Sequence, residues 1–332
     1  MATFHLSLII PVYNRPNEVE ELLDSLTRQS ETNFEVVIVE DGSKETCEHV
    51  VDAFKDKLVI SYYYIPNGGP GNARNYGAKQ SKGDYLIVLD SDCILPPDYI
   101  KSVNKELQET GADAFGGPDK ASDSFTDVQK AINYSMTSFF TTGGIRGGKK
   151  KMDKFYPRSF NMGIRKSTYE ALNGFSAMRF GEDIDFSIRL FKNGYKVCLF
   201  PSAWVYHKRR TDWRKFFRQV YNSGIARINL YKKYPDSLKL VHLLPAIFTL
   251  GVLFFLIGSI FCAWSLLPLG LFCLLIFADS TIQNKSIKIG FLSIIASFIQ
   301  LLGYGCGFLD ATWNRLILKK EEFSAFQKTF YK

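Results

Sequence analysis

From Leu240 to Ala278 the chain carries no Asp, Glu, Lys or Arg, and from Ile289 to Leu309 a second run is equally free of charge. A helix crosses a hydrocarbon core of about 30 Å in about 20 apolar residues, so both runs are long enough to span a membrane. The first exceeds one span and reads as a helix pair turning near Ala263-Trp264-Ser265. A buried core helix would look similar, but two such runs in one chain favour the membrane. The expected order is a globular domain over residues 1–220, a basic juxtamembrane or interfacial helix over 221–239, a hydrophobic region of two or three spans over 240–312, and a basic tail over 313–332.

Charge orients this arrangement. The formal net charge is +8, and between Val205 and Leu240 ten Lys or Arg face two Asp. Basic flanks stay on the cytoplasmic side and can touch anionic head groups; an ordinary solvated helix face accounts for the same residues. The chain is expected as a multi-pass protein of the cell's inner membrane, with its N-terminal domain cytoplasmic and no nucleic acid as partner. Three spans would put the C-terminus outside, yet Arg315, Lys319, Lys320, Lys328 and Lys332 favour the inside. One hydrophobic segment is therefore a candidate for a re-entrant or interfacial helix. Leu6 to Ile10 is too short for the core of a signal peptide. The six cysteines show no paired metal spacing and are expected as reduced thiols.

The first hundred residues alternate strand and helix patterns. Leu6–Ile10 is a strand, and Val19, Leu22, Leu23 and Leu26 line one face of a helix from about Pro16 to Gln29. The strand Phe34–Val39, a polar-faced helix to about Phe54, a strand over Leu58–Tyr64 and a helix opening at Pro70 follow. The apolar run Tyr85–Leu89 then ends at Asp90. This rhythm predicts a mainly parallel α/β sheet covered on both faces. Residues 112–160 are less regular and contain the loop Thr141–Lys151, whose glycines and lysines make it a candidate lid over a phosphate or a plain surface loop.

Two acidic clusters carry the chemistry. Asp90-Ser91-Asp92 ends a strand, where an α/β sheet places ligands. Carboxylates two residues apart point the same way along an extended chain, and such a pair can hold a divalent cation that in turn holds phosphate oxygens. Glu182-Asp183-Ile184-Asp185 opens a helix and can supply a base beside that cation. Together they imply transfer of a group from a phosphate-bearing donor. A capping turn before Pro96 and helix-dipole complementation are the structural alternatives.

Pro11-Val12-Tyr13-Asn14-Arg15, Val39-Glu40-Asp41-Gly42-Ser43, Gly71-Asn72-Ala73-Arg74-Asn75, Asp90-Ser91-Asp92 and Gly181-Glu182-Asp183-Ile184-Asp185-Phe186 occur in that order. In this the chain resembles the inverting family-2 glycosyltransferases of GT-A nucleotide-sugar fold, over roughly residues 5–220. The resemblance implies a donor, UDP-linked, whose nucleotide meets Pro11, Tyr13, Asn14 and the Glu40–Asp41 strand end, with Asp41 accepting from uracil N3–H. A turn-forming Asp before Gly42 gives the same pattern. Arg74 resembles the Arg that approaches the donor, whose phosphates suit a guanidinium fork. By the same resemblance Asp90 is expected toward the ribose and Asp92 as a ligand of Mn²⁺ or Mg²⁺, a Lewis acid for the leaving nucleoside diphosphate. His207 completes the metal shell in part of the family, and is otherwise part of the basic flank. Asp183 is the expected general base, Glu182 orients the acceptor or a loop, and Asp185 faces elsewhere.

The chain departs from the processive polysaccharide synthases, since no Gln-x-x-Arg-Trp follows Arg218-Gln219. The expectation is a hexosyltransferase that passes one sugar to an acceptor hydroxyl, lipid-linked or on a glycan, in cell-surface polysaccharide or glycolipid assembly. A polyprenyl-phosphate glycosyltransferase and a non-catalytic membrane scaffold that retains the fold are the alternatives.

Overall fold

A computed structural model describes residues 4–120, 125–143, 155–178, 180–208 and 212–321. They form two compact units, one within 1–122 and 152–207, the other within 123–151 and 208–322.

The first unit opens with β1 (Leu6–Val12), α1 (Pro16–Thr27), β2 (Phe34–Asp41), α2 (Glu48–Asp52), β3 (Ile60–Ile65), α3 (Pro70–Gln80) and β4 (Tyr85–Leu89), the alternation expected from the pattern. Pro70 stands at the start of α3, where its missing N–H costs nothing. β5 (Cys93–Ile94), α4 (Tyr99–Thr110), β6 (Ala114–Gly116) and β7 (Asp119–Lys120) follow. The chain then supplies α5 (Asp127–Thr137) and α6 (Phe139–Thr142) to the second unit. It resumes the first with β8 (Asn161–Arg165), α7 (Lys166–Ala171), α8 (Glu182–Lys192), β9 (Val197–Leu199) and β10 (Val205–His207).

Seven strands lie in the order β3-β2-β1-β4-β8-β6-β9. β1 is parallel to β2 and β4, β2 is parallel to β3, and β8 runs antiparallel to both β4 and β6. β4 is buried throughout and β1 nearly so, as strands covered on both faces must be, which explains their unbroken apolar runs. The strand order reverses between β1 and β4, and that reversal opens a crevice beyond the carboxyl ends of the strands. A small second sheet, β5-β10-β7, brings His207 beside Cys93.

In the second unit α9 (Trp213–Lys233) packs against α12 (Ile287–Ala311), with α10 (Leu244–Gly258) and α11 (Leu267–Asn284) also on α12. Glycines set the closeness. A Cβ on Gly307 would lie 2.0 Å from the Tyr221 carbonyl oxygen, and one on Gly224 would lie 2.2 Å from that of Tyr304. The uncharged first run does turn where expected, in a 3₁₀ segment at Ala263–Leu266. Two helices, Ala263–Asn284 and Ile287–Ile317, are long and apolar enough to cross a membrane by length and composition, and Leu244–Gly258 is shorter. α5 joins this unit through its apolar residues Ala131, Ile132 and Met136, which pack with Phe216, Val220 and Ala296. The Tyr134 hydroxyl also donates to Asp279 Oδ2 on α11 at 2.6 Å. Past Gly143 the glycine- and lysine-rich loop lies outside the described residues.

Candidate active site

Three loops at the carboxyl ends of β1, β2 and β4 build the floor of the site. Asn14, at φ +52°, donates its N–H to Ser43 Oγ at 2.8 Å. Its side-chain oxygen accepts from Lys44 and Glu45 N–H, at 2.7 and 3.1 Å. An Asn tolerates this left-handed conformation because its short side chain bonds locally. Pro11, in β1, pairs in register with Val39, and Tyr13 is half-buried. Glu40 is fully buried, and its Oε1 accepts from the Cys47 N–H.

Asp41 ties the β2 end to the start of α3. Its Oδ1 accepts from Gly68 N–H at 2.7 Å, its Oδ2 from Gly69 N–H at 2.9 Å, and Asn67 Nδ2 stands 3.4 Å from Oδ2. Burial pushes this carboxyl up from its usual value, and the Gly68 and Gly69 N–H groups pull the other way.

The first acidic cluster sits in a turn. The sequence pattern implied an extended chain through Asp90 and Asp92, but β4 stops at Leu89 and the Cys93 N–H donates back to the Asp90 carbonyl at 3.1 Å. The turn still aims both acids at one imidazole. His207 Nε2 lies 3.1 Å from Asp92 Oδ1 and 3.8 Å from Asp90 Oδ2. Its ring stacks on Phe160 at 4.9 Å between centroids, which fixes its plane.

These donors fit a divalent cation. Carboxylate oxygens with one imidazole suit Mn²⁺ or Mg²⁺. Asp92, Cys93 and His207 each offer a ligand atom, all within 4.8 Å of one another. Cys93 is a poor member of that set, because its buried thiol points at the Phe160 carbonyl and burial pushes its pKa well up.

The second cluster starts α8. Gly181, at φ +87°, precedes Glu182 in a conformation that favours glycine and turns the chain so that Glu182 and Asp183 face inward. Arg74, 3% exposed, then joins the two clusters: Nη1 donates to Glu182 Oε1 at 2.7 Å and Nη2 to Asp90 Oδ1 at 2.9 Å. Its guanidinium also lies over the Phe175 ring at 5.5 Å. Asp185 faces away, as expected, and pairs with Arg189 at 2.9 Å.

Two arginines complete the pattern. Arg15 Nη1 donates to Asp92 Oδ2, and Arg158 Nε to Asp183 Oδ2, each at 2.6 Å. Burial opposes ionisation of Asp183, but Arg158 and then Arg74 outweigh it and hold the carboxyl below the usual carboxylate range. Its neighbour moves the other way: burial first, then the charge of Asp183, pushes Glu182 up. Arg15 stands in the Pro11–Arg15 segment, a signal that could have marked it. Arg158 lies in no recognisable motif.

The sequence pattern of glycosyl transferase family 2 matches residues 7–172, which carry β1 to β8 and the Asp90–Asp92 turn. An uncharacterized glycosyltransferase of Haemophilus influenzae is 34% identical over 218 residues, 62% of this chain and 70% of that protein. One from Rickettsia typhi is 43% identical over 96 residues, 29% of this chain and 30% of that protein. Poly(ribitol-phosphate) beta-N-acetylglucosaminyltransferase TarS of Staphylococcus aureus is 34% identical over 113 residues, 33% of this chain and 20% of that protein. This chain thus spans under a third of the length of the last two. Mannosyltransferase PcManGT from Pyrobaculum calidifontis, solved with GDP-Man and Mn²⁺, superposes with a TM-score of 0.59 at 15% identity, over 95% of this chain and 89% of that one. That likeness is one of fold, and it agrees with the mainly parallel GT-A sheet described above. With half its length matched and a relative covered over 70% of that relative's own length, the chain belongs to glycosyl transferase family 2.

Proposed function

We propose that this glycosyltransferase is a metal-dependent, inverting hexosyltransferase at the cytoplasmic face of the inner membrane. It takes a sugar from a nucleotide-diphosphate donor, UDP-linked, and passes it to a hydroxyl of a lipid-linked or glycan acceptor in cell-surface polysaccharide or glycolipid assembly. The observation that carries this reading is the Arg74 bridge, which ties Asp90 to Glu182 and so keeps the cation's carboxylates beside the candidate base.

Each residue then has a task. Asp183 accepts the proton of the acceptor hydroxyl while that oxygen bonds to the anomeric carbon, opposite the leaving nucleoside diphosphate. The bond from anomeric carbon to phosphate oxygen breaks, and the configuration inverts. Asp92, Asp90 and His207 hold the cation, which when bound supplies Lewis-acid neutralisation of the leaving group. Glu182, anchored by Arg74, orients the acceptor. Asp41 reads uracil through Oδ2, where the Asn67 amide makes its longest contact, 3.4 Å, and is the partner most readily displaced. Pro11, Tyr13, Asn14 and Glu40 shape the nucleotide pocket.

The apolar helices Ala263–Asn284 and Ile287–Ile317 and the basic flank of α9 support a membrane location and hence a lipid-linked acceptor. The test is the full chain in detergent with Mn²⁺ and a panel of UDP- and GDP-sugars, scored for nucleotide release and, by NMR, for the product's anomeric configuration. Inversion with a UDP-sugar is expected. Retention of configuration, or no nucleotide binding in Mn²⁺, overturns the proposal. A mild effect of Asp183→Asn would favour an acceptor phosphate over a hydroxyl.

A further inference from the structure

We infer that Arg15 couples the divalent cation to the donor's diphosphate, by occupying the cation's carboxylate, Asp92, until a phosphate draws its guanidinium away. This rests on the donor and cation assignment proposed above. Among the described residues the ion pairs of the site join four carboxylates, Asp90, Asp92, Glu182 and Asp183, to three guanidiniums, Arg15, Arg74 and Arg158. Arg74 is sealed between two acids and Arg158 is committed to Asp183. Only Arg15 among these three stands on Asp92, with its side chain 27% exposed and that of Asp92 11% exposed.

A cation held by Asp92 and His207 would share the Asp92 carboxylate with the Arg15 guanidinium, which stands 2.6 Å from Oδ2, and like charges on one carboxylate repel in a partly buried site. Bound alone, the cation must displace Arg15 into water. Bound with a nucleotide sugar, it arrives with a diphosphate that carries one negative charge per phosphate, and Arg15 exchanges one anionic partner for another. The cation and the diphosphate cancel each other's charge, so the site accepts them together more readily than either alone.

The local backbone permits the exchange without refolding. Asn14 is pinned to the β2 loop by Ser43, Lys44 and Glu45, and the Arg15 carbonyl accepts from Val19 N–H at 3.2 Å in the first turn of α1. The Arg15 side chain is the part left to move. Its guanidinium is not deprotonated in proteins, so the charge stays throughout the exchange.

Linkage makes the idea measurable, since a coupling between two ligands is reciprocal. The full chain in detergent is titrated with Mn²⁺, by electron paramagnetic resonance, with and without saturating UDP. In the wild-type protein UDP should tighten Mn²⁺ binding by up to about a hundredfold, the upper part of the usual range for coupled ligands. Arg15→Ala should bind Mn²⁺ alone roughly tenfold more tightly, and the gain from UDP should shrink by a similar factor or more. Arg15→Lys, which keeps the charge, should retain most of the coupling. If Asp92→Ala binds Mn²⁺ as tightly as the wild type, the cation assignment itself fails. If Asp92→Ala loses Mn²⁺ while Arg15→Ala leaves both the Mn²⁺ affinity and the UDP-induced gain unchanged, the role of Arg15 alone is refuted.

Discussion

Arg74 Nη1 lies 2.7 Å from Glu182 Oε1, although the two residues stand 108 positions apart in the chain. α3 carries the first and α8 the second. Because the same guanidinium also holds Asp90, a single buried side chain sets the spacing between the two acidic clusters.

Removing that side chain should therefore cost both stability and activity. Taking one partner from a buried ion pair leaves an uncompensated charge, worth about 3–5 kcal/mol. Arg74→Ala should lower unfolding free energy by that order in a denaturant titration. Arg74→Lys keeps the charge but lacks the fork needed to reach two carboxylates. It should fold better than Arg74→Ala yet remain well below wild-type turnover. Wild-type stability in Arg74→Ala would mean that the bridge does not hold the site together.

Asp183→Asn preserves the shape of the candidate base and removes its ability to take a proton. A base within hydrogen-bond reach contributes about 10²–10⁴-fold. Turnover should fall by that range while UDP binding, read by calorimetry, stays unchanged. Near-normal turnover would remove Asp183 from the role of base, and identifying the acceptor would then separate a phosphate acceptor, which needs no base, from a base placed elsewhere.

The sequence already exposed the β1–β4 rhythm, because strands buried on both faces read as unbroken apolar runs and the helices between them repeat on one face. Asp90, Asp92, Glu182 and Asp183 were legible for the same reason, since strand ends and helix starts can be located locally. The contacts among them were not. Arg158 meets Asp183 only because β8 returns antiparallel beside β4, a pairing that no local pattern encodes. The turn at Cys93 was hidden too, since a strand end and a tight turn share the same residues. Residues 112–160 read only as less regular, and α5 within them is buried against α12, which lies at the far end of the chain.

Asp92→Ala should abolish metal-dependent donor binding. Asp92 faces His207 Nε2 at 3.1 Å, and the turn leaves Asp90 farther off at 3.8 Å. UDP affinity measured in Mn²⁺ should drop to the value seen in chelator. Equal affinity for wild type and variant in both conditions would defeat the metal assignment. His207→Ala should weaken the same Mn²⁺ dependence without removing it.

The glycine contact between α9 and α12 makes its own prediction. A Cβ at Gly307 would overlap the Tyr221 carbonyl oxygen at 2.0 Å, so the two helices must separate to admit any side chain. Overpacking of this kind costs about 1–3 kcal/mol. Gly307→Leu should lower the thermal midpoint of the full chain in detergent, whereas Gly270→Leu, at an open position on α11, should not. Equal midpoints for the two variants would show that the helices do not pack through Gly307.

The pH dependence follows from Arg158. Burial alone would raise the Asp183 carboxyl, yet the adjacent guanidinium of Arg158 and that of Arg74 hold it below the usual carboxylate range. A general base works only while ionised, so the acid limb of kcat should lie below the ordinary carboxylate value of about 3.9. The sign for stability is the same. A carboxyl with a lowered pKa in the folded protein stabilises the fold above its unfolded pKa, and that contribution is lost as pH falls through the lowered value. Arg158→Ala removes the larger opposing charge and leaves burial, so the acid limb should move upward, with UDP affinity unchanged. Arg158→Lys should restore most of the wild-type profile, because charge rather than shape sets the shift. A profile that stays in place in Arg158→Ala, with kcat reduced uniformly at every pH, would assign Arg158 to holding the loop and leave the ionisation of Asp183 to Arg74.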